Sequence, residues 1–197
     1  MAKTVIFDLG GVLVHLDWDK VCGRLQELSG LAADKVRHEV INGPIVRSSM
    51  LGRLGARDFQ HALCRKLGVD LGYEDFVNIW NSLLSANETI VPLVEHLKLG
   101  HMLVLASNTD AIHFKHSDES FIVLRQFDHH FLSYEMGLLK PDPAFFHHAL
   151  RSLDTTAADC IFIDDRAENV EAARGIGITA IQFEGASQLQ RDLNTVL

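Results

Sequence analysis

The chain has 197 residues, which is enough for one domain or for one domain that carries a modest insertion. Hydrophobic residues make up 47% of the sequence and charged residues 22%, a balance that excludes a disordered or a fibrous protein. The formal net charge of −8 argues against a binder of nucleic acids or anionic membranes, so an anionic substrate would need a local cluster of donors or a metal ion.

The amino terminus gives the first information about location. Only three apolar residues in a row, 5–7, stand directly before Asp8, whereas a secretory signal needs about seven or more in a row. No apolar run approaches the roughly 20 residues of a membrane helix, and the three cysteines are widely spaced with no CxxC pair. We therefore expect a cytoplasmic protein with reduced thiols, no membrane attachment and no obligate protein partner.

Five short apolar runs, rich in Val, Ile and Phe, occur along the chain. They are residues 4–7, 102–106, 131–133, 161–163 and 178–181. None alternates with polar residues, which is typical of strands buried on both faces of a parallel sheet. Segments whose apolar residues have helical spacing separate the later runs. A short amphipathic segment, 186–197, follows the last run. Strand and helix in alternation predict an α/β fold with a doubly wound parallel sheet.

The stretch between the first two runs has a different spacing of hydrophobic residues. Residues 16–86 show helical spacing throughout, most clearly around Phe76 and Trp80, and no strand-like run interrupts them. We predict an inserted α-helical bundle of about four helices, with Trp18 and Trp80 in its core. Residues 1–15 and 87–197 would then form the α/β core domain. The inserted cap would lie over the carboxyl ends of the strands, where open sheets bind ligands.

Polar groups lie at or near the ends of several of the apolar runs. They are Asp8, Ser107, Asn108, Lys140, Asp164 and Asp165. Each alone has an ordinary explanation as a turn residue, a helix cap or a surface lysine. Together they form a set of carboxylates, a hydroxyl and an ammonium. Because carboxylates alone would repel an anion, the set predicts a hard divalent cation such as Mg²⁺, which takes oxygen ligands and bridges them to phosphate oxygens.

Four segments carry these residues in order. They read FDLGGVL (7–13), LASNT (105–109), MGLLKPDP (136–143) and FIDDRAEN (162–169). These segments resemble the four motifs of the haloacid dehalogenase-like hydrolases, and the inserted bundle looks like the α-helical cap of the phosphatases in that family. The resemblance covers essentially the whole chain. It implies Mg²⁺-dependent hydrolysis of a small phosphorylated metabolite, a phosphomonoester, through an aspartyl-phosphate intermediate.

The resemblance also implies a role for each residue of the set. Asp8 would be the nucleophile, ionised at neutral pH without special tuning. The Ser107 hydroxyl and the Asn108 backbone amide would bind phosphoryl oxygens, and Lys140 would neutralise charge shared between Asp8 and the phosphoryl group. The implied Mg²⁺ ligands are Asp8, the Gly10 carbonyl, Asp165 and, directly or through water, Asp164.

Gly10 departs from the pattern of the resemblance, because phosphatases of this family usually carry a second Asp there as the general acid. Loss of a general acid typically costs about 10²–10⁴-fold in rate. Three explanations stay open. A cap residue supplies the proton, with His15, Asp17 and Asp19 nearest in sequence; the leaving group is good enough, as in an anomeric phosphate; or the protein is a poor catalyst. The sequence around Gly10 also has a weaker similarity to that of sugar-phosphate phosphatases of the glucose-1-phosphate type.

Two other functions stay open at this point. A non-catalytic or very weakly catalytic protein could hold a phosphorylated metabolite in the same cleft, because Gly10 replaces the acid. A metal-free hydrolase of the dehalogenase type also lacks this acid, but the Asp164–Asp165 pair argues for a metal.

Two residues that follow the second motif have an ordinary interpretation. We expect His113 and Lys115 on a solvated helix face. The alternative is contact with the end of the substrate that does not carry the phosphate.

Overall fold

The computed structural model describes residues 3–197, so the first two residues of the chain lie outside the description. The strands are β1 (Thr4–Phe7), β2 (Val14–Leu16), β3 (Leu84–Ala86), β4 (Met102–Ser107), β5 (His129–Leu132), β6 (Cys160–Asp164) and β7 (Thr179–Gln182). The helices are α1 (Trp18–Ser29), α2 (Ala33–Ile41), α3 (Pro44–Met50), α4 (Ala56–Leu67), α5 (Tyr73–Asn81), α6 (Val91–Lys98), α7 (Ala111–Ser120), α8 (Ser133–Met136), α9 (Pro143–Ser152), α10 (Ala167–Gly175) and α11 (Ala186–Val196). Within residues 3–197, no helix is long and apolar enough to cross a membrane.

Five strands form one parallel sheet, in the order β5-β4-β1-β6-β7. The central strand, β1, pairs with β4 on one side and with β6 on the other, so that Phe7 is aligned with Leu105 and with Ile163. The strand order reverses at β1, as in a doubly wound sheet, and ligands bind at such a switch point. The predicted fold class is confirmed, and the observed strand bounds differ from the predicted runs by at most two residues.

Both faces of the sheet are covered by helices. Successive residues of a strand point to opposite faces: Val5 and Phe7 pack in a buried cluster with side chains of α6 and α11, whereas Ile6 packs with side chains of α9 and α10. A strand that is buried on both faces has no solvated side on which polar residues would recur. This double burial explains why the five runs lack polar alternation.

A second sheet of two strands differs from the sequence-based expectation. β2 and β3 pair antiparallel, with Val14 opposite Ala86 and Leu16 opposite Leu84. The expectation that no strand interrupts residues 16–86 is therefore wrong at the first residue, Leu16, and at the last three, 84–86. Each of these strands has three residues, and most of them are only partly buried or exposed. Neither run length nor hydrophobicity marks such a strand in a sequence.

The helical stretch between β2 and β3 contains five helices, α1 to α5, where about four were expected. The additional helix, α3, has only seven residues, too few to show a clear helical period. The five helices bury a cluster of their own, in which the rings of Phe59 and Trp80 meet edge to face with centroids 5.0 Å apart. Trp80 is fully buried in this cluster, as predicted, whereas Trp18 packs against the cluster and is only partly buried.

The pairing of β2 with β3 brings the two ends of the helical stretch together beside the parallel sheet. We propose on this basis that residues 16–86 act as a cap on a core domain formed by residues 1–15 and 87–197. One core residue, Ile112 at the start of α7, packs into the buried cluster of the five helices. The helical layer is therefore attached to the core by side-chain packing as well as by the two strands.

Candidate active site

Two carboxylates lie side by side at the carboxyl ends of neighbouring strands. Asp8 follows β1 directly and Asp164 is the last residue of β6, and the register of the two strands aligns their ends. The Asp8 backbone amide donates a hydrogen bond of 2.8 Å to the Ile163 carbonyl, which extends the pairing by one residue. Both side chains are buried, so bulk water does not solvate either carboxylate.

Lys140 supplies the positive charge between these carboxylates. Its Nζ donates to Asp8 Oδ1 at 2.9 Å, to Asp164 Oδ2 at 2.6 Å and to the Ala106 carbonyl at 2.7 Å. All three of its ammonium protons therefore have an acceptor. The side chain is almost completely buried, which makes these charge-assisted bonds strong and fixes the position of the ammonium.

Asn108 holds the backbone that carries Lys140. Its Nδ2 donates to the Lys140 carbonyl at 2.8 Å, and its Oδ1 accepts from the Lys140 amide at 2.9 Å. The sequence predicts contact between the Asn108 backbone amide and a phosphoryl group. The structure gives the Asn108 side chain a second role, because it joins the loop after β4 to the loop before α9.

Asn169 is a site residue to which sequence reasoning gave no role. Its Nδ2 lies 3.0 Å from each of the two carboxylate oxygens of Asp164, and the Arg166 amide donates to the same carboxylate at 2.9 Å. These bonds fix the orientation of Asp164. Asn169 stands in the fourth motif, on the first turns of α10, so its position in that motif was a signal that could have indicated the contact.

Burial raises the pKa of two of the carboxyl groups in the site. Burial raises the pKa of Asp8 to about 7; Lys140 opposes this rise, and Asp164 and Asp165 add to it. Burial also raises the pKa of Asp165, with a further contribution from Asp164. The expectation that Asp8 is ionised without special tuning is therefore corrected: its ionisation depends on the neighbouring positive charge.

Lys140 is held in its charged form by the same cluster. Burial by itself would lower the pKa of Lys140, but the charges of Asp8 and Asp164, together with their hydrogen bonds, outweigh burial and raise it. The ammonium is thus a fixed positive charge at the end of β1.

The acidic residues of the cluster fit a divalent cation. Asp8, Asp164 and Asp165 each offer a carboxylate oxygen, and these oxygens lie within 4.8 Å of one another. Three ionised carboxylates and one ammonium leave a formal charge of −2, which a divalent cation would neutralise. A set made only of oxygen ligands suits Mg²⁺. We propose that these three residues and the Gly10 carbonyl hold it.

Gly11 gives Asp165 the room to approach. Its φ of +80° lies in the left-handed region, and a Cβ added at this position would lie 2.3 Å from Asp165 Oδ2. A side chain at residue 11 must therefore displace the Asp165 carboxylate.

We expect Gly11→Ala to weaken Mg²⁺ binding by about 10- to 100-fold, the usual effect of disturbing the support of a metal ligand. Isothermal titration of the purified protein with Mg²⁺ measures this. Gly23→Ala is the matched control, because Gly23 lies within α1 with nothing within 4 Å of the added Cβ. Equal Mg²⁺ affinity in Gly11→Ala and wild type would show that Asp165 does not bind the metal.

Ser107 and Gly10 lie beside the cluster. Ser107 is buried at the last position of β4, the other neighbour of β1. Gly10 lies two residues after Asp8 and forms a bridge with Val14. The methyl Cδ1 of Leu16 would lie 2.9 Å from a Cβ added at Gly10, so an apolar side chain occupies the place toward which a residue at this position would point.

The three residues nearest in sequence that could replace the missing acid lie on the surface. His15, Asp17 and Asp19 are exposed. Asp17 pairs with Lys20 at 3.6 Å, and Asp19 pairs with Arg37 at 2.6 Å. Among residues 3–197, no hydrogen bond joins His15, Asp17 or Asp19 to the cluster around Lys140.

A buried network connects α7 to the helical layer. Asp110 caps α7 by accepting from the Ile112 and His113 amides. Its Oδ2 also accepts from Trp80 Nε1 at 3.0 Å and lies 3.2 Å from His113 Nδ1. The expected solvated position of His113 is therefore wrong: its ring stacks on Trp80 in the interior, at a centroid distance of 4.8 Å. Lys115 is exposed, as expected.

The ring nitrogens of His113 each face an acceptor of this network. Nε2 lies 2.9 Å from the Trp80 carbonyl, and Nδ1 faces the Asp110 carboxylate. Both of these groups only accept hydrogen bonds. The Asp110 pKa is lowered although burial alone would raise it, because the charge and hydrogen bonds of His113 outweigh burial. The contacts of Trp80 with Asp110 and His113 join α5 to the loop that carries Ser107 and Asn108.

Known proteins resemble this chain over nearly its whole length. A sequence model of the haloacid dehalogenase-like hydrolases matches residues 2–177. The D-ribitol-5-phosphate phosphatase of Bacteroides thetaiotaomicron is 25% identical over 206 residues, covering 100% of this chain and 99% of the relative. A sesquiterpene phosphatase of Aspergillus oryzae is 30% identical over 184 residues, covering 92% of this chain and 89% of the relative.

A solved structure shows the same likeness in three dimensions. A magnesium complex of a haloacid dehalogenase family enzyme from Bacteroides thetaiotaomicron has a TM-score of 0.85 to this chain at 26% sequence identity. The alignment covers 96% of this chain and 98% of that chain. The family match over most of the sequence, and the agreement of the whole fold, show that this chain belongs to the haloacid dehalogenase-like hydrolases.

Proposed function

We propose that this chain is a phosphatase that hydrolyses a small phosphomonoester with the help of Mg²⁺. One observation carries the proposal: the buried Lys140 ammonium bridges the Asp8 and Asp164 carboxylates, with Asp165 close to both. This arrangement places a nucleophilic oxygen, a fixed positive charge and a set of cation ligands at one end of β1. Transfer of a phosphoryl group depends on such positioning and charge neutralisation.

In the proposed reaction, an oxygen of Asp8 attacks phosphorus as the bond between phosphorus and the ester oxygen breaks. The product is an aspartyl-phosphate and a leaving oxygen that takes up a proton. Water then attacks the same phosphorus, which returns the Asp8 carboxylate and releases inorganic phosphate. The Ser107 hydroxyl and the Asn108 backbone amide would bind the phosphoryl oxygens during both steps, and the Lys140 ammonium would neutralise charge shared between Asp8 and the phosphoryl group. Bound Mg²⁺ would supply positive charge to the phosphoryl oxygens.

The named relatives support the substrate class. One is a D-ribitol-5-phosphate phosphatase and another is a sesquiterpene phosphatase, so both act on organic phosphates. The polyol phosphate of the first agrees with the weaker similarity to sugar-phosphate phosphatases. We propose a small phosphorylated metabolite as the substrate, and the cytoplasm as its location, which the three buried free cysteines support.

Phosphate release from a panel of phosphomonoesters, polyol and sugar phosphates included, tests the proposal. We expect release with Mg²⁺ and a loss of at least about 10²-fold when the metal is removed with EDTA, because one charge-stabilising contact alone is typically worth that much. Release that is insensitive to EDTA, with halide release from 2-chloropropionate, would favour a metal-free dehalogenase. Absence of release, with a phosphate ester that raises the Tm, would favour a binding protein.

The missing acid leads to a separate prediction. Gly10→Asp is expected to raise kcat on alkyl phosphates by about 10²-fold or more, because it supplies a proton donor. The position has an ordinary backbone conformation, and the clash of the new Cβ involves only the flexible end of Leu16.

Gly10→Asn is the matched control for this prediction, because it has the same shape and no acidic proton. An equal gain in both variants would assign the effect to Leu16 rather than to the acid. An unchanged or lower kcat in Gly10→Asp would mean that another residue already supplies the proton. The kcat is measured under saturating substrate in both variants.

A further inference from the structure

The loop to which we assign the binding of the phosphoryl group, residues 107–109, is fixed at both of its ends. Ser107 is the last residue of β4, which pairs with β5 at this point. Asp110 follows the loop directly and caps α7, because its Oδ1 accepts from the amides of Ile112 and His113 at 2.9 and 3.1 Å. The loop is therefore a short span between the sheet and the first turn of a helix.

Two contacts within the core hold the middle of this loop. Ser133 Oγ accepts from the Thr109 amide and donates to the Thr109 carbonyl, both at 3.0 Å. The Asn108 side chain bonds to the backbone of Lys140. Both partners belong to the segments between β5 and α9, so these contacts do not depend on where the helical layer lies.

Trp80 adds a contact from the helical layer. Its Nε1 donates to Asp110 Oδ2 at 3.0 Å, its carbonyl lies 2.9 Å from His113 Nε2, and its ring stacks on the His113 ring. Trp80 and Asp110 are both completely buried, so each would lose a partner in the interior if α5 moved away from α7. One carboxylate thus serves two elements: Oδ1 caps α7, and Oδ2 binds the helical layer.

We propose that Trp80 is a positioning residue for the phosphoryl-binding loop. By holding Asp110, it fixes the orientation of the Ser107 hydroxyl and the Asn108 amide. The inference rests on the proposed phosphatase function, in which these two groups bind phosphoryl oxygens. Residues 16–86 supply none of the groups that we assign to the reaction, so Trp80 acts only through the loop. The position of α5 and the geometry of the loop are therefore linked.

Asp110→Asn separates the two functions of this carboxylate. Oδ1 remains an acceptor for the first turn of α7, and Asn caps a helix as well as Asp does. The amide nitrogen that replaces Oδ2 cannot accept from the Trp80 indole. We expect the affinity for inorganic phosphate, measured by isothermal titration with Mg²⁺ present, to fall at least about five-fold, the effect of one weakened hydrogen bond. Removal of a negative charge by itself would favour phosphate, so the charge does not explain such a fall.

The affinity for Mg²⁺ provides the internal reference. The proposed carboxylate ligands of Mg²⁺ lie at the ends of β1 and β6 rather than on the loop. We therefore expect Asp110→Asn to bind Mg²⁺ as the wild type does when phosphate is absent. A general loss of structure would weaken the binding of both ions, whereas a change confined to the loop weakens that of phosphate alone.

Trp80→Phe breaks the same bond from the other side, because it removes the indole donor and keeps an aromatic ring. We expect the same fall in phosphate affinity. The double variant Asp110→Asn/Trp80→Phe should show no further fall, since the bond is already absent in each single variant. Independent structural roles for the two residues would instead give losses that add.

Phe76→Leu is the matched control for loss of stability. Phe76 is buried in the same cluster, and its ring stacks on that of Trp80 with centroids 5.9 Å apart. Its side chain has no polar atom that could bind the loop. The smaller side chain should lower the Tm, because it leaves a cavity in the cluster. We expect the phosphate affinity of Phe76→Leu to equal that of the wild type below its Tm.

Three results would overturn the proposal. They are an unchanged phosphate affinity in Asp110→Asn, an equal fall in Phe76→Leu, and additive losses in the double variant. If Asp110→Asn does not fold, Trp80→Phe tests the same bond against the same control.

Amide hydrogen exchange distinguishes failure of this proposal from failure of the proposed function. A wild type that binds no phosphate would contradict the function. The positioning is then decided by the Thr109 amide, which donates to Ser133. Relative to the amides of β1, it should exchange at least about five-fold faster in Trp80→Phe than in the wild type, because the loop opens more often when one of its bonds is lost. Equal exchange rates would overturn the positioning role.

Discussion

Asp8→Asn is expected to reduce phosphate release by a factor on the order of 10⁵, the size of effect that removal of a catalytic nucleophile has. The amide has no negative charge and cannot form the aspartyl-phosphate. Its oxygen can still accept a hydrogen bond from Lys140, which donates to Asp8 Oδ1 at 2.9 Å in the wild type. The substitution therefore removes the chemistry and keeps the shape of the site.

The fold of Asp8→Asn should be intact. Burial raises the pKa of the Asp8 carboxyl to about 7, so its charge is not a source of stability in the metal-free protein. We expect a Tm equal to or above that of the wild type when Mg²⁺ is absent. A circular dichroism melt in EDTA measures this, and it separates loss of the nucleophile from loss of structure.

Rapid-quench labelling with a ³²P-phosphomonoester gives a direct readout of the intermediate. The wild type should carry acid-stable, hydroxylamine-labile label, and Asp8→Asn should carry none. Asp34→Asn is the control, because it makes the same chemical change at an exposed position of α2. Turnover by Asp8→Asn at a rate near that of the wild type would remove Asp8 as the nucleophile.

The parallel sheet could be predicted because its strands are marked by their own composition. Residues 5–7 and 161–163 are apolar throughout because helices cover both sides of the sheet. The ends of the strands are less well defined by the sequence. The run at 131–133 includes Ser133, which in the structure begins α8. A hydrophobic pattern indicates which residues are buried. Residues beyond the last hydrogen bond of a strand can be buried as well, so the pattern does not define where the strand ends.

The short elements could not be predicted, for a related reason. The strand Leu84–Ala86 and the helix Pro44–Met50 are three and seven residues long. Neither length covers enough periods of two or of 3.6 residues to be distinguished from a loop. Their conformation is set by partners distant in sequence: Leu84 is paired with Leu16.

The chain positions of the proposed site residues could be found in the sequence, but their side-chain partners could not. Asn108 bonds to the backbone of Lys140, 32 residues away, and Trp80 bonds to Asp110, 30 residues away. No local spacing connects such pairs. His113 shows the same limit, because a polar residue on a helix is normally solvated, and only the packing of α5 on α7 buries it.

Lys140→Met is expected to have the largest combined effect on stability and activity. It leaves the buried Asp8 and Asp164 carboxylates without the ammonium that contacts both, at 2.9 and 2.6 Å. Removal of one partner from a buried ion pair typically costs about 3–5 kcal/mol of stability. We also expect kcat to fall by about 10²–10³-fold, because the phosphoryl group loses a fixed positive charge.

Chemical denaturation and phosphate release measure these two effects. Lys115→Met is the matched control: its ammonium forms an exposed ion pair with Glu119, which contributes little to stability. Mg²⁺ should restore part of the stability that Lys140→Met loses, because a bound cation also neutralises the carboxylates. No such restoration is expected in Lys115→Met.

The double variant Asp8→Asn/Lys140→Met decides whether Lys140 acts through the carboxylates. If its main role is to neutralise them, removal of one negative charge compensates for removal of the positive one, and the double variant is more stable than the sum of the two single-variant effects predicts. If Lys140 mainly fills space beside Phe162, whose ring centroid lies 5.2 Å from its Nζ, the two effects on stability add. Additive effects would show that the ammonium is not the charge that holds Asp8 and Asp164 together, and the proposed phosphoryl site would lose its fixed positive charge.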